Sequence, residues 1–546
     1  MEIRRPGLVE WYVNAPAGLE QGFTLERRPV GAGLLIVEIE VLGAEARLDG
    51  DTVVLASAAG RRLRYGHPTA HDAAGVAHAA RLEVPSASRV RLVIEDARAM
   101  YPLVIDPVIT GDGVAATQLE SDQAGADFGW SVAGAGDVNG DGYADVIVGA
   151  PRYDAGDEAD GAAFVFLGSP TGIADGDSTT AAAQLTSDRT SFFGWSVAGP
   201  GDVNGDGYDD VIVGAFSYPS EGLGAAFVFL GSATGIADGG PATAATQLST
   251  PVFGAFGHSV AGAGDVNGDG YADVIVGAPY FSEGAMNAGA AFVFLGSASG
   301  IANGSTASAA TRLVSNLAGA WLGWSVAGAG DVNGDGYADA IVGAPYVDAG
   351  EFQEGAAFVF LGGASGIASG GPASASARLV SNQATALLGS SVAGAGDVTG
   401  DGYADVIVGA PHFDAGEAAE GAALVFTGSA SGIADGDPTT AAVRIESNRA
   451  GALLGSSVAG AGDVNGDGYA DVILGAGEGT SFVFLGSATG IGDGNPTTAV
   501  APFESSGGWI VAGAGDVNGD GYGDVIIGAP TSGSGRTPRG GAFVFL

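Results

Sequence analysis

One block of sequence recurs seven times. Asp-Val-Asn-Gly-Asp-Gly-Tyr starts at residues 137, 202, 265, 331, 397, 463 and 516, with Thr399 as the single change, at spacings of 65, 63, 66, 66, 66 and 53 residues. A chain that repeats at this period is built from copies of one supersecondary unit, and each copy buries its apolar faces only against its neighbours. A Ser-Val-Ala-Gly type segment such as 131–134 precedes each block. An apolar run such as Val146-Ile147-Val148 follows it and leads into Gly149-Ala150-Pro151. After a variable loop comes a third apolar segment, Ala163-Phe164-Val165-Phe166-Leu167 in the first copy. A fourth short strand lies beyond a Gly- and Asp-rich turn: Gln184-Leu185, Gln247-Leu248, Arg312-Leu313, Arg378-Leu379, Arg444-Ile445 and Pro502-Phe503.

Four short strands per copy describe one blade of a β-propeller. The last copy stops after its third strand at Leu546, while an orphan fourth strand, Thr117-Gln118-Leu119-Glu120, precedes the first copy. The orphan is expected to complete the last blade, which would close the ring at seven blades and leave no open edge. The 98 glycines among 546 residues, more than twice the ordinary share of roughly 7%, suit such a ring. Innermost strands such as Ala133-Gly134-Ala135-Gly136 must approach closely at the axis, and Phe164, Phe166, Phe227 and Phe229 suit the wider spaces between blades.

The block itself carries the chemistry. In Asp137-Val138-Asn139-Gly140-Asp141-Gly142-Tyr143-Ala144-Asp145, oxygen-bearing side chains stand at positions 1, 3, 5 and 9, and the Tyr143 carbonyl is available at position 7. Hard cations take six to eight oxygen ligands, and glycines at positions 4 and 6 let short carboxylates converge, so calcium is the expected ion. The same positions hold Asp202, Asn204, Asp206, Tyr208 and Asp210, then Asp265, Asn267, Asp269, Tyr271 and Asp273. They continue as Asp331, Asn333, Asp335, Tyr337 and Asp339, then Asp397, Thr399, Asp401, Tyr403 and Asp405. The last two sets are Asp463, Asn465, Asp467, Tyr469 and Asp471, and Asp516, Asn518, Asp520, Tyr522 and Asp524. A turn needs one Asx and a Gly, whereas positions 1, 5 and 9 are Asp in every copy. Up to seven calcium sites are expected, the weakest at Asp397, where a hydroxyl replaces the amide carbonyl. Crowded carboxylates also link metal binding to folding. The Asp175-Gly176-Asp177 and Asp435-Gly436-Asp437 segments lack the full spacing and read as turns.

Charge divides the chain near residue 110. Residues 1–110 hold 12 Arg against 14 acidic residues, and residues 111–546 hold 8 against 48. The first region alternates apolar and polar residues, as in Val37-Glu38-Ile39-Glu40-Val41 and Val90-Arg91-Leu92-Val93-Ile94, and reads as a small all-β domain ending near Gly111-Asp112-Gly113. Its His67, His71 and His78 read as surface-loop residues. A net charge of −42 disfavours nucleic acid and anionic membranes as partners. The absence of cysteine excludes disulfides and thiol nucleophiles. No apolar run approaches the roughly 20 residues of a membrane span, and the start lacks the apolar stretch of a signal peptide.

Phe128-Gly129 with Gly149-Ala150-Pro151, and Phe256-Gly257 with Gly277-Ala278-Pro279, resemble the FG-GAP repeat of integrin α propellers and many bacterial surface proteins. Elsewhere the motif drifts to Leu322-Gly323, Leu388-Gly389 and Leu454-Gly455, and to Gly214-Ala215-Phe216 or Gly475-Ala476-Gly477. The resemblance implies a seven-bladed propeller, calcium in the loops between the first two strands of each blade, and a role in adhesion or recognition. It also implies an extracellular or cell-surface location. Seven competent loops place the chain nearer the bacterial members than the integrins, and it is not read as a receptor subunit. The variable loops share the face opposite the metal loops and carry Tyr153, Asp154, Phe216, Tyr218, Tyr280, Phe281, Tyr346, His412 and Phe413. Such aromatics beside carboxylates suit a protein or glycan ligand bound by a monomeric propeller. Trp130, Trp195, Trp324 and Trp509 recur at one position and read as packing residues. No nucleophile elbow or catalytic His cluster stands out, so an enzyme is not expected. The alternatives are a spacer or accessory domain of a secreted bacterial protein and, last, a glycan-active enzyme.

Overall fold

The computed structural model describes all residues except 1, 6, 16–17, 30–32, 50–51, 58–61, 112–114, 157–158, 478, 500–501, 505–507 and 533–538. Asp112 and Gly113 of the junction, and the side chain of His67, lie outside the described residues. The chain divides into two compact units, Met1–Ala116 with Thr498–Pro502, and Thr117–Thr497 with Phe503–Leu546.

In the first unit, alternation does what the pleat requires, with Leu35 and Val37 buried and Ile36 and Glu38 exposed on one strand. That strand, Leu35–Glu40, belongs to a three-stranded sheet with Arg89–Ile94 at its centre and Ala80–Ser86 beyond. A seven-stranded sheet runs in the order Glu2–Arg5, Leu8–Ala15, Gly18–Leu25, Leu103–Gly111, Arg62–His71, Thr52–Ser57 and Ala44–Asp49. Phe23, Val53, Tyr65, Leu92, Ile94, Leu103 and Ile105 form the core. The reading of His78 as an ordinary loop residue is corrected here. Its Nε2 lies 3.1 Å from Asp72 Oδ2, and the buried Asp72 also accepts the amides of Ala74, Val76 and Met100. His71 ends a strand and is exposed.

In the second unit each repeat forms one antiparallel sheet. The first runs Ser131–Gly136, Asp145–Ala150, Ala162–Phe166, Ala183–Thr186 in spatial order. Its second strand is buried at all six residues, because neighbouring sheets cover both faces. Ile147 packs toward the second repeat with Val211, Val213 and Phe227. Val146 and Val148 face the other way, toward Ile526 and Val544 of the seventh repeat. Thr117–Glu120 pairs antiparallel with Gly541–Phe545 at the far end of the chain. Inner strands lie side by side from repeat to repeat, and Ile510–Gly515 of the seventh again lies beside Ser131–Gly136 of the first.

The recurring residues bind these sheets together. Ser131 Oγ accepts the amide of Val197 at 3.0 Å, and the same stitch joins Ser196 to Val260 and Ser391 to Val458. Glycine is needed where sheets meet at this same end, on the second strand opposite Ser131. A Cβ on Gly149 would lie 2.1 Å from the carbonyl oxygen of Gly194, which itself has φ +83°. The turn aspartates act at the rim: Asp175 Oδ1 accepts the amide of Gln118 at 2.8 Å, and Asp435 Oδ1 that of Arg378 at 2.8 Å. They cap the exposed amides of the outer strand one sheet away.

Candidate metal centres and recognition face

Each acidic loop folds around its first aspartate. Asp137 Oδ1 accepts the amides of Gly140 and Asp141, and Oδ2 accepts that of Gly142. Asp141 Oδ1 then accepts the amide of Tyr143. Gly140 and Gly142 make this winding possible, with φ of +71° and +91°. The pattern repeats at Asp202, Asp265, Asp331, Asp397 and Asp463. At Asp516 the amides of Asp520 and Gly521 are held in the same way. The result is a tight, exposed loop whose first, third and fifth side chains sit together.

Position 9 behaves differently. Asp145 is fully buried, and its oxygens accept the amides of Val138 at 2.9 Å and Gly168 at 2.8 Å. It staples the loop to the end of the third strand. Asp210, Asp273, Asp339, Asp405 and Asp471 do the same, and Asp524 accepts the amide of Val517. Burial pushes the carboxyl groups of Asp145, Asp210 and Asp471 up to about 7, and those of Asp273, Asp339 and Asp405 up to about 6. The two amides oppose this shift, and the carboxylates at positions 1 and 5 add to it.

The donors fit a hard cation in kind, since every candidate ligand atom is oxygen. Among the described residues, however, no three His, Cys, Asp or Glu side chains stand together as a metal-holding group. The loops satisfy themselves instead. Asn139 Nδ2 donates to Asp141 Oδ2 at 2.9 Å, placing an N–H where a cation would neutralise charge. Asn204, Asn267, Asn333 and Asn465 make the same bond. Thr399 does not; its hydroxyl donates to Asp397 Oδ1 at 3.3 Å.

Comparison with known proteins accounts for the repeat. The FG-GAP repeat model matches residues 128–166, 193–229, 256–294, 322–360 and 388–426, and an FG-GAP-like repeat model matches 463–527. The chain carries FG-GAP repeats. It is 38% identical over 162 residues to integrin alpha-3 of Cricetulus griseus, covering 29% of this chain and 15% of that protein. Over 169 residues it is 39% identical to integrin alpha-PS5 of Drosophila melanogaster, covering 30% and 16%. Human integrin alpha-6 is 34% identical over 176 residues, covering 32% and 14%. The matched segment is thus a small part of each relative.

The FG-GAP residues now have physical roles. Phe128 is fully buried with its ring 5.6 Å from that of Phe164, and the Gly of one repeat's GAP meets the Gly of the next repeat's FG. On the variable-loop side, the aromatics divide. Tyr153, Phe281 and Phe413 are buried packing residues, whereas Phe216, Tyr218, Tyr280 and Tyr346 are half-buried and His412 is exposed. Ring contacts run from Trp130 to Trp195 at 4.7 Å, on to His258 at 5.8 Å, and to Trp324 at 4.5 Å. Burial pushes the His258 imidazole down to about 4, so it joins this series as a neutral ring. Sequence reading missed Phe192, Trp321 and Phe253, which extend the series. Their signal was weak because they occupy irregular segments between repeats.

Proposed function

We propose that the FG-GAP array is a closed seven-bladed propeller that holds calcium in its acidic loops. In this reading it recognises a protein or glycan ligand through the opposite face, as a non-enzymatic module at the cell surface or outside the cell. The observation that carries the reading is the repeat shared with integrin alpha proteins. Closure is supported by the pairing of Thr117–Glu120 with Gly541–Phe545. It is also supported by the close packing of Gly528 on the carbonyl of Gly129.

Calcium would be held by the side chains at positions 1, 3 and 5 and the tyrosine carbonyl at position 7, with position 9 contributing through lone pairs its two amides leave available. The ion would supply positive charge at a cluster of carboxylates, and so couple binding to folding. Recognition through the variable face is supported by its half-buried aromatics. Among the described residues no helix is long and apolar enough to cross a membrane.

The test is a glycan array and a surface-protein pull-down, each run with calcium and with chelator. A calcium-dependent hit is expected. If both are empty with folded, calcium-loaded protein, the recognition reading fails and a spacer role takes its place.

A further inference from the structure

The second repeat departs from most of its siblings at the end of its Gly-Ala-Pro motif, and a cavity lies there. Where the first, third, fourth, fifth and seventh repeats carry Pro151, Pro279, Pro345, Pro411 and Pro530, the second carries Phe216. Phe216 stacks on Phe192, with ring centroids 5.1 Å apart and planes 13° from parallel. A second pair, Phe253 and Tyr280, stacks at 6.4 Å and 26°. Both pairs line a cavity of about 550 Å³, together with Thr190 and Glu221. This volume falls within the range of small-molecule sites.

The cavity is held open by built features. A Cβ on Gly222, whose φ is +78°, would lie 2.2 Å from the Phe253 ring, so glycine lets that ring lie directly against the backbone. The amides of Gly254 and Ala255 both donate to the Gly222 carbonyl and fix the Phe253 segment across it. Phe253 is 58% exposed, so its ring presents a face to solvent at the cavity.

We infer that this cavity takes one pyranose ring of a neutral glycan, an assignment that rests on the recognition reading above. Flat aromatic faces suit the apolar C–H face of a sugar, and a carboxylate at the lip accepts its hydroxyls. An apolar side chain would cover Glu221 without giving it a partner, which is costly. An anionic sugar would meet Glu221 and a strongly acidic chain.

The experiment is isothermal titration of the full chain in calcium with methyl glycosides of glucose, galactose, mannose and N-acetylglucosamine. Methyl glucuronide and pentalysine serve as charged probes. At least one neutral glycoside is expected to bind, and more tightly than the glucuronide. Phe253→Ala, which alters an exposed ring, and Phe216→Pro, which restores the residue of the sibling repeats, are each expected to weaken it at least tenfold with an unchanged circular dichroism spectrum. If no neutral glycoside binds while the array or pull-down gives a hit, the glycan assignment to this cavity is overturned and the recognition reading stands. Glycoside binding untouched by both substitutions overturns the cavity as its location. If no probe binds and the array and pull-down are also empty, both readings fall.

Discussion

Asp209 Oδ2 accepts the backbone N–H of Asp137 at 2.8 Å, joining the acidic loops of the first and second repeats. Other repeats place Ala144, Ala272, Ala338, Ala404 or Ala470 at this position, and the last places Gly523. Burial pushes the Asp209 carboxyl up, the Asp137 amide pulls it back, and the charges of Asp137 and Asp202 push it up again. The charged form is therefore held at a net cost. Asp209→Ala is expected to raise the melting temperature in chelator by roughly 1–2 °C, and by less in calcium. A lower melting temperature in chelator would mean that the lost hydrogen bond outweighs the relieved repulsion.

Position 9 and position 5 should separate in calorimetry. Asp145→Asn turns an acceptor oxygen into an N–H facing a backbone amide, and is expected to destabilise the metal-free protein by about 1–3 kcal/mol. Asp141→Asn should leave the metal-free melt nearly unchanged and reduce the rise produced by calcium. Identical behaviour of the two variants in chelator would refute the staple role of Asp145.

Calcium itself should stabilise the chain, each site adding about 2.7 kcal/mol at a hundredfold excess over its dissociation constant. The fifth loop should contribute least. Thr399→Asn restores the amide found in its siblings, and is expected to tighten the weakest step of a calcium titration without altering the others. An unchanged titration would show that position 3 contributes nothing to affinity.

The first unit should be acid-sensitive through Asp72. The amide of Met100 holds its carboxyl well below the ordinary carboxylate range, opposed by burial and assisted by His78, Val76 and Ala74. A lowered folded value means stability that is present above the unfolded value near 3.8 and is lost as pH falls through the folded one. Hydrogen exchange over residues 70–105, corrected for its intrinsic pH dependence, is expected to accelerate below about pH 4. In Asp72→Asn it should be faster already at pH 7, with a flatter acid dependence. Acid sensitivity equal in both chains would assign the effect elsewhere.

Much of the molecule is local, and local features are legible in a sequence. The all-β character follows from alternation in segments such as Leu35–Glu40 and from apolar runs such as Asp145–Ala150, and the FG-GAP identity from the repeat. The winding of each acidic loop also follows from its own residues, because Asp137 bonds amides three to five positions away. The staple by Asp145 was only half visible. Its bond to Val138 spans seven residues, but its bond to Gly168 spans 23 and needs the third strand in place.

The sequence alone therefore determined the repeating unit, its strands and the oxygen-rich loops, since these depend on contacts within one repeat. Only the tertiary structure decided that Asp175 caps Gln118, that Gly149 meets Gly194, and that Tyr153 is core while Phe253 is exposed. Those outcomes depend on which side chains a neighbouring sheet covers. Strand alternation names a face but not what lies against it.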